Sequence, residues 1–146
     1  MSQSQPLREA LKKRFYPFAQ ERGFVSGKAT SLFTPFERVA DGKIHFFEIQ
    51  WDKYHRPRFV INFGERASSE KNDSAPPIST GRLQRWRGGT MRAWFQTGKP
   101  WVETVRTLRW SYQPDEVASH LIECFSELEV WWDSKQEGQH VYIWRK

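Results

Sequence analysis

The chain opens with a helical pattern. Leu7, Leu11, Phe15 and Phe18 recur at spacings of three and four, with Arg8, Lys12, Lys13 and Arg22 between them. Pro6 suits the first turn of such a helix, and Gly23 suits the position just past its end. Pro17 interrupts the pattern and predicts a kink, or a split into two short pieces near Phe15. The period then changes from helical to alternating. Thr30 to Val39 is rich in aromatic and β-branched residues, and Pro35 assigns it to an edge or a bulge. Asp41-Gly42 is a hairpin turn signal. Ile44 to Trp51 alternates, sending His45, Phe47, Ile49 and Trp51 to one face. Arg58 to Phe63 alternates again, with Phe59, Ile61 and Phe63 together. Three such strands joined by short turns predict an antiparallel meander.

The second half is less regular. Residues 65–81 are polar, with Ser68-Ser69, Asn72-Asp73-Ser74 and Pro76-Pro77, and predict a long loop. Residues 82–101 are broken by Gly88-Gly89, Gly98 and Pro100, and Val102 to Tyr112 reads as a further strand. A second helix is well marked. Pro114, Asp115 and Glu116 form a favourable first turn, and Val117, Leu121, Cys124, Phe125, Leu128, Trp131 and Trp132 follow the helical period. Val141 to Trp144 closes the chain as a short strand or docked tail. The order predicts one α+β domain spanning 1–146: an antiparallel sheet of about four to five strands, with the N-terminal and C-terminal helices on one face.

Composition agrees with a folded domain. The chain has 146 residues, and its eight Trp, eleven Phe and four Tyr can fill one core. The single cysteine, Cys124, cannot form an internal disulfide, and no apolar run is long enough to span a membrane. A cytoplasmic location is therefore expected. The net charge of +6 is unevenly spread. Arg82, Arg85, Arg87, Arg92, Lys99, Arg106 and Arg109 form a basic stretch against Glu103 alone, whereas the helix from Asp115 to Glu137 is acidic. The two readings are internal charge complementarity and an anionic partner.

The helix Leu7 to Arg22 ends in Gly23-Phe24, and the aromatic strand around Phe33 and Phe36 is followed by Phe47-Glu48-Ile49-Gln50-Trp51 and Phe59-Val60-Ile61-Asn62-Phe63-Gly64, which set Gln50 and an Asn-x-Gly on successive strands. With these motifs the first half resembles a bacterial family catalogued as domain of unknown function 4304. Arg82-Leu83 and Trp131-Trp132-Asp133 fit more loosely, and Pro17 departs from the family's uninterrupted helix. The resemblance implies the α+β fold and a bacterial origin. It implies no activity and no catalytic residues.

Candidate chemistry is sparse. His45, His55, His120 and His140 show no ligand spacing along the chain, so no metal or other cofactor is expected. Asp41 with Glu48 and Gln50 is similar to nuclease sites that place an acid on one strand and Glu-x-Lys on the next, but Gln50 stands where the lysine would be. Cys124 lies in the apolar stripe of a helix, as an inert buried thiol would. The most informative stretch interleaves arginine and tryptophan: Arg85, Trp86, Arg87, Arg92 and Trp94. These residue types dominate protein–protein contacts, can also grip phosphates and stack on bases, and can equally be buried rings with solvated arginines. The leading expectation is a non-enzymatic module that binds another protein through these five residues, in its most concrete form an immunity-type protein that blocks a toxin. The alternatives are a nucleic-acid binder using residues 82–109 and a degenerate metal-dependent nuclease.

Overall fold

The first helix accommodates Pro17 by changing its pitch. In the computed structural model, which describes residues 3–67, 80–88, 90–98, 105–106 and 111–144, α1 (Gln5–Ala10) runs through a π-helical turn (Leu11–Phe15) into α2 (Tyr16–Glu21). The Tyr16 N–H donates to the Leu11 carbonyl, a five-residue step. Pro17, which has no N–H to donate, thereby falls in the first turn of α2. The pattern of buried positions also favours the wide turn. Leu7, Leu11, Phe15 and Ala19 are all buried and four residues apart. Each step of four overshoots a regular α-helical turn by about 40°, and one extra residue in a turn takes up most of the accumulated drift.

Among the described residues seven strands follow in one sheet: β1 (Val25–Ser26), β2 (Phe33–Ala40), β3 (Lys43–Trp51), β4 (Arg58–Ala67), β5 (Gly81–Leu83), β6 (Phe95–Gln96) and β7 (Val141–Ile143). Their order is β1-β2-β3-β4-β5-β7, every pairing is antiparallel, and β6 pairs with β4 beside β5. Asp41 and Gly42, both at positive φ, make the two-residue turn between β2 and β3. The second helix, α3 (Pro114–Ser134), starts on Gln113, whose N–H donates to Glu116 Oε1 at 3.3 Å.

Side chains at alternate strand positions divide between two layers. Phe36, Phe47, Ile49, Trp51, Phe59, Ile61, Phe63, Leu83 and Val141 point inward to one apolar cluster shared with Leu7, Leu11 and Phe15 of the first helix. Val117, Leu121, Phe125, Leu128 and Trp132 of α3 complete it. Phe47 stacks on Phe36 with centroids 4.9 Å apart, and the Phe15 and Phe125 rings meet both Phe47 and each other edge-on. Each such ring contributes roughly 1.5–3 kcal/mol through burial. The acidic helix is held by residues outside the basic stretch: Asp115 pairs with Arg14, Glu129 with Arg38, and Glu127 with His140.

The α+β architecture with an N-terminal and a C-terminal helix is as expected, and among the described residues the sheet has seven strands where about four to five were expected. The additions, β1, β5 and β6, are two or three residues long, too short to leave an alternating pattern, whereas β7 falls where the closing strand was expected. The polar segment 65–81 gives both ends to strands, since β4 reaches Ala67 and β5 begins at Gly81. The expected strand at 102–112 lies largely outside the described residues; within it Val105 and Arg106 are helical, and Ser111 forms a lone bridge with Gly98. Among the described residues no helix is long and apolar enough to cross a membrane.

Candidate functional site

The side chains that alternate with the core form the outer face of the sheet, and a polar row crosses it. The register aligns Pro35 of β2, Glu48 of β3, Asn62 of β4, Arg82 of β5 and Tyr142 of β7. Cross-strand neighbours at this spacing are in reach of one another. Asn62, only 4% exposed, is the hub: its Nδ2 donates to Glu48 Oε1 at 3.0 Å and Gln50 Oε1 at 2.8 Å. Its Oδ1 accepts from Arg82 Nε at 2.9 Å. The Arg82 guanidinium lies 5.7 Å from the Trp94 ring centroid and 5.3 Å from that of Trp144, a geometry that favours a cation. Burial draws Arg82 below its ordinary value, and the charge of Glu48 acts against that shift.

Beside this row is a cleft of about 270 Å³. Val25, Pro35 and Phe46 supply apolar walls, and Glu37, Glu48 and Asn62 supply polar groups. Gly64 shapes it. A Cβ at that position would come within 2.7 Å of Phe46 Cζ and 2.9 Å of Thr80 Oγ1, so the absent side chain lets the Phe46 ring lie across β4. The Asn-x-Gly pattern thus has two physical causes on one face: Asn62 organises the polar row, and Gly64 seats the aromatic wall. Charge on this face is balanced. Arg66 pairs with Glu37, Arg58 with Asp52, and Arg82 lies near Glu48.

Of the five residues expected to carry a partner contact, the fold buries one and engages two others with backbone carbonyls. Trp94 is buried, 4% exposed, against Arg82. Trp86 is 38% exposed and lies under the Arg85 guanidinium at 4.7 Å. Arg85 donates to the carbonyls of Gly98 and Arg92, and Arg87 to those of Val141 and Gly138. Arg92 is exposed. Two of the arginines therefore tie loops together, because an Arg fork satisfies several carbonyls that a short irregular segment leaves without ladder partners. Lys99 and Arg109 lie outside the described residues.

The nuclease-like trio is also spread out. Asp41 is in the β2–β3 turn, whereas Glu48 is in mid-strand, and a rise of about 3.3 Å per residue puts Lys43 and Glu48 roughly 17 Å apart. Glu48 and Gln50 instead share Asn62. His45 stacks flat on Trp132 at 5.0 Å and accepts from Arg38 Nε at 3.2 Å. Cys124 is buried, which pushes its thiol up to about 12, with Glu127 and Glu123 adding to the shift. The fold does, however, bring Cys124, His120 and His140 together. Chain spacing hid this group because His140 arrives from the far side of α3's end. The polar row was hidden for a similar reason. Glu48, Gln50 and Asn62 are visible as polar residues within aromatic strands, but only the register joins them to Arg82 and Tyr142.

No family model matches the chain, and neither a curated protein nor a solved structure matches it.

Proposed function

We propose that this protein is a non-enzymatic module that binds another protein through the outer face of its sheet. The observation that carries this reading is the cleft walled by Val25, Pro35 and Phe46 with Glu48 and Asn62 among its polar groups, continuous by register with Arg82 and Tyr142. An apolar wall with a few fixed polar groups suits a partner side chain with an apolar body and a hydrogen-bond donor at its tip. Tyr142, 44% exposed, and Trp144, 38% exposed, extend the surface with the residue types that anchor interfaces. A partner of the immunity kind, a toxin held inactive, is one form of this function.

A protein partner is favoured over nucleic acid by charge. Phosphate binding needs a stripe of cations facing outward, whereas Arg66 and Arg58 on this face are paired with acids, and Arg85 and Arg87 donate to backbone carbonyls. The test is capture from a lysate of the source cells by four forms of the chain: wild type, Glu48→Ala, Tyr142→Ala and, on the exposed side of α3, Val130→Ala. One stoichiometric protein should be captured by wild type and Val130→Ala and lost with the two outer-face variants, while each variant still unfolds in one cooperative transition. Capture that ignores the outer-face variants, or that vanishes on nuclease treatment, would overturn the proposal.

A further inference from the structure

A second constellation lies on the opposite layer, away from the outer sheet face. His120 and Cys124 are four residues apart on α3, so they project from one side of the helix. His140 comes from the turn just before β7. One donor atom from each of the three lies within 4.8 Å of the others. A metal centre draws such atoms together by about 1 Å, because donors bound at 2.0–2.3 Å around a tetrahedral ion sit roughly 3.3–3.7 Å apart.

We propose that His120, Cys124 and His140 bind a single borderline transition-metal ion, zinc(II) above all, tying α3 to the turn ahead of β7. Two imidazoles and one thiolate form a mixed nitrogen and sulfur set of the kind that selects zinc over magnesium or calcium. The surroundings of His140 suit a ligand. Glu127, one turn along α3, accepts the His140 backbone N–H at 2.8 Å through Oε1 and meets the ring Nδ1 through Oε2. A proton held on Nδ1 leaves Nε2 as the lone-pair nitrogen, the tautomer that ligates a metal, and a carboxylate behind a ligating histidine is the usual second partner. Gly138 leaves Glu127 room to do this: a Cβ there would fall 1.9 Å from Glu127 Oε1. The His120 and His140 rings stand perpendicular, with centroids 5.8 Å apart. Three protein donors leave a fourth tetrahedral position for water. His120 also lines a cavity of about 260 Å³ with Arg85, Tyr112 and Glu116.

The group would act as a staple. Among the described residues β7 pairs with β5 alone, through Gly81, Arg82 and Leu83, so an ion joining α3 to the residues before β7 fixes the strand that carries Tyr142. The test uses the full chain stripped with a chelator and titrated with cobalt(II), a spectroscopic stand-in for zinc. One equivalent should bind, with a near-ultraviolet thiolate-to-cobalt charge-transfer band that zinc displaces. Zinc, but not magnesium, should raise the melting temperature. Cys124→Ser should abolish the band. His120→Ala should weaken cobalt binding at least tenfold, and Glu127→Gln by about ten- to a hundredfold. His120 is only half-buried, so its variant decides the matter even if Cys124→Ser does not fold. Absence of the band in folded wild type, or cobalt uptake unchanged in His120→Ala and His140→Ala, would overturn the assignment.

Discussion

A methyl group on Gly64 would collide with the Phe46 ring at 2.7 Å and with Thr80 Oγ1 at 2.9 Å. Neither neighbour can retreat freely. Phe46 is 7% exposed, and the Gly64 carbonyl accepts from Trp132 Nε1 at 3.0 Å, so β4 is pinned from the core side as well. Gly64→Ala should therefore destabilise the fold by about 1–3 kcal/mol, the usual cost of overfilling a packed site. Urea denaturation measures this directly, and a change below about 0.5 kcal/mol would show that the ring swings aside. The same argument explains why one residue of the Asn-x-Gly pattern is polar and the other empty. Asn62 satisfies Glu48, Gln50 and Arg82 in a nearly buried setting, where leaving any of them unpaired costs about 1–3 kcal/mol.

Among the elements, the first helix sets the sharpest contest between local propensity and packing. Removing a proline from a helix interior ordinarily gains about 3 kcal/mol. Pro17→Ala should gain less than about 1 kcal/mol, because Pro17 occupies the first turn of α2, where its missing N–H is no loss. A straight α-helix would also rotate Ala19 away from the face shared by Leu7, Leu11 and Phe15. A measured gain near 3 kcal/mol would mean that the proline, and not the spacing of buried residues, sustains the π-helical turn. The pattern of positions anticipates both the helix and its interruption, and it anticipates β2, β3, β4 and α3, each long enough to complete several periods. It also places the closing strand β7, but it does not reveal β1, β5 and β6. Strands of two or three residues are defined by what they pair with, and their partners come from other parts of the chain. The candidate site divides in the same way. Trp94 announces itself as a contact residue by type, yet the fold buries it against Arg82. Arg82, Asn62 and Tyr142 gain their meaning from register alone.

At the scale of the whole molecule, one continuous core joins both helices to the sheet, so the domain should unfold as a unit, and its stability should report every buried titratable group at once. Two histidines matter most near neutral pH. Burial lowers His45 below its ordinary 6.5; Arg38 and Lys135 add to the shift, and Glu65 and Glu129 oppose it. Burial likewise lowers His120, with His140 and Arg85 adding and Glu123 and Glu127 opposing. Both therefore bind fewer protons folded than unfolded around pH 6.5, so stability rises with pH there. Their contribution is complete above the unfolded value and is lost as pH falls from there through the lower folded value. A second loss should follow near pH 4. Burial pushes Asp52 upward, but the Tyr54 N–H and Arg58 outweigh it and hold the carboxyl below its ordinary 3.8. Its contribution is present above that value and disappears as acid protonates it. Urea midpoints measured with a chelator present should be level from pH 8 to 7, decline between 7 and 5.5, and decline again below 4. In His45→Gln and His120→Gln the first decline should flatten, whatever their absolute stability, while the second stays. A wild-type midpoint constant from pH 8 to 5.5 would show that the two imidazoles titrate alike in the folded and unfolded chains, and that their burial is relieved by water.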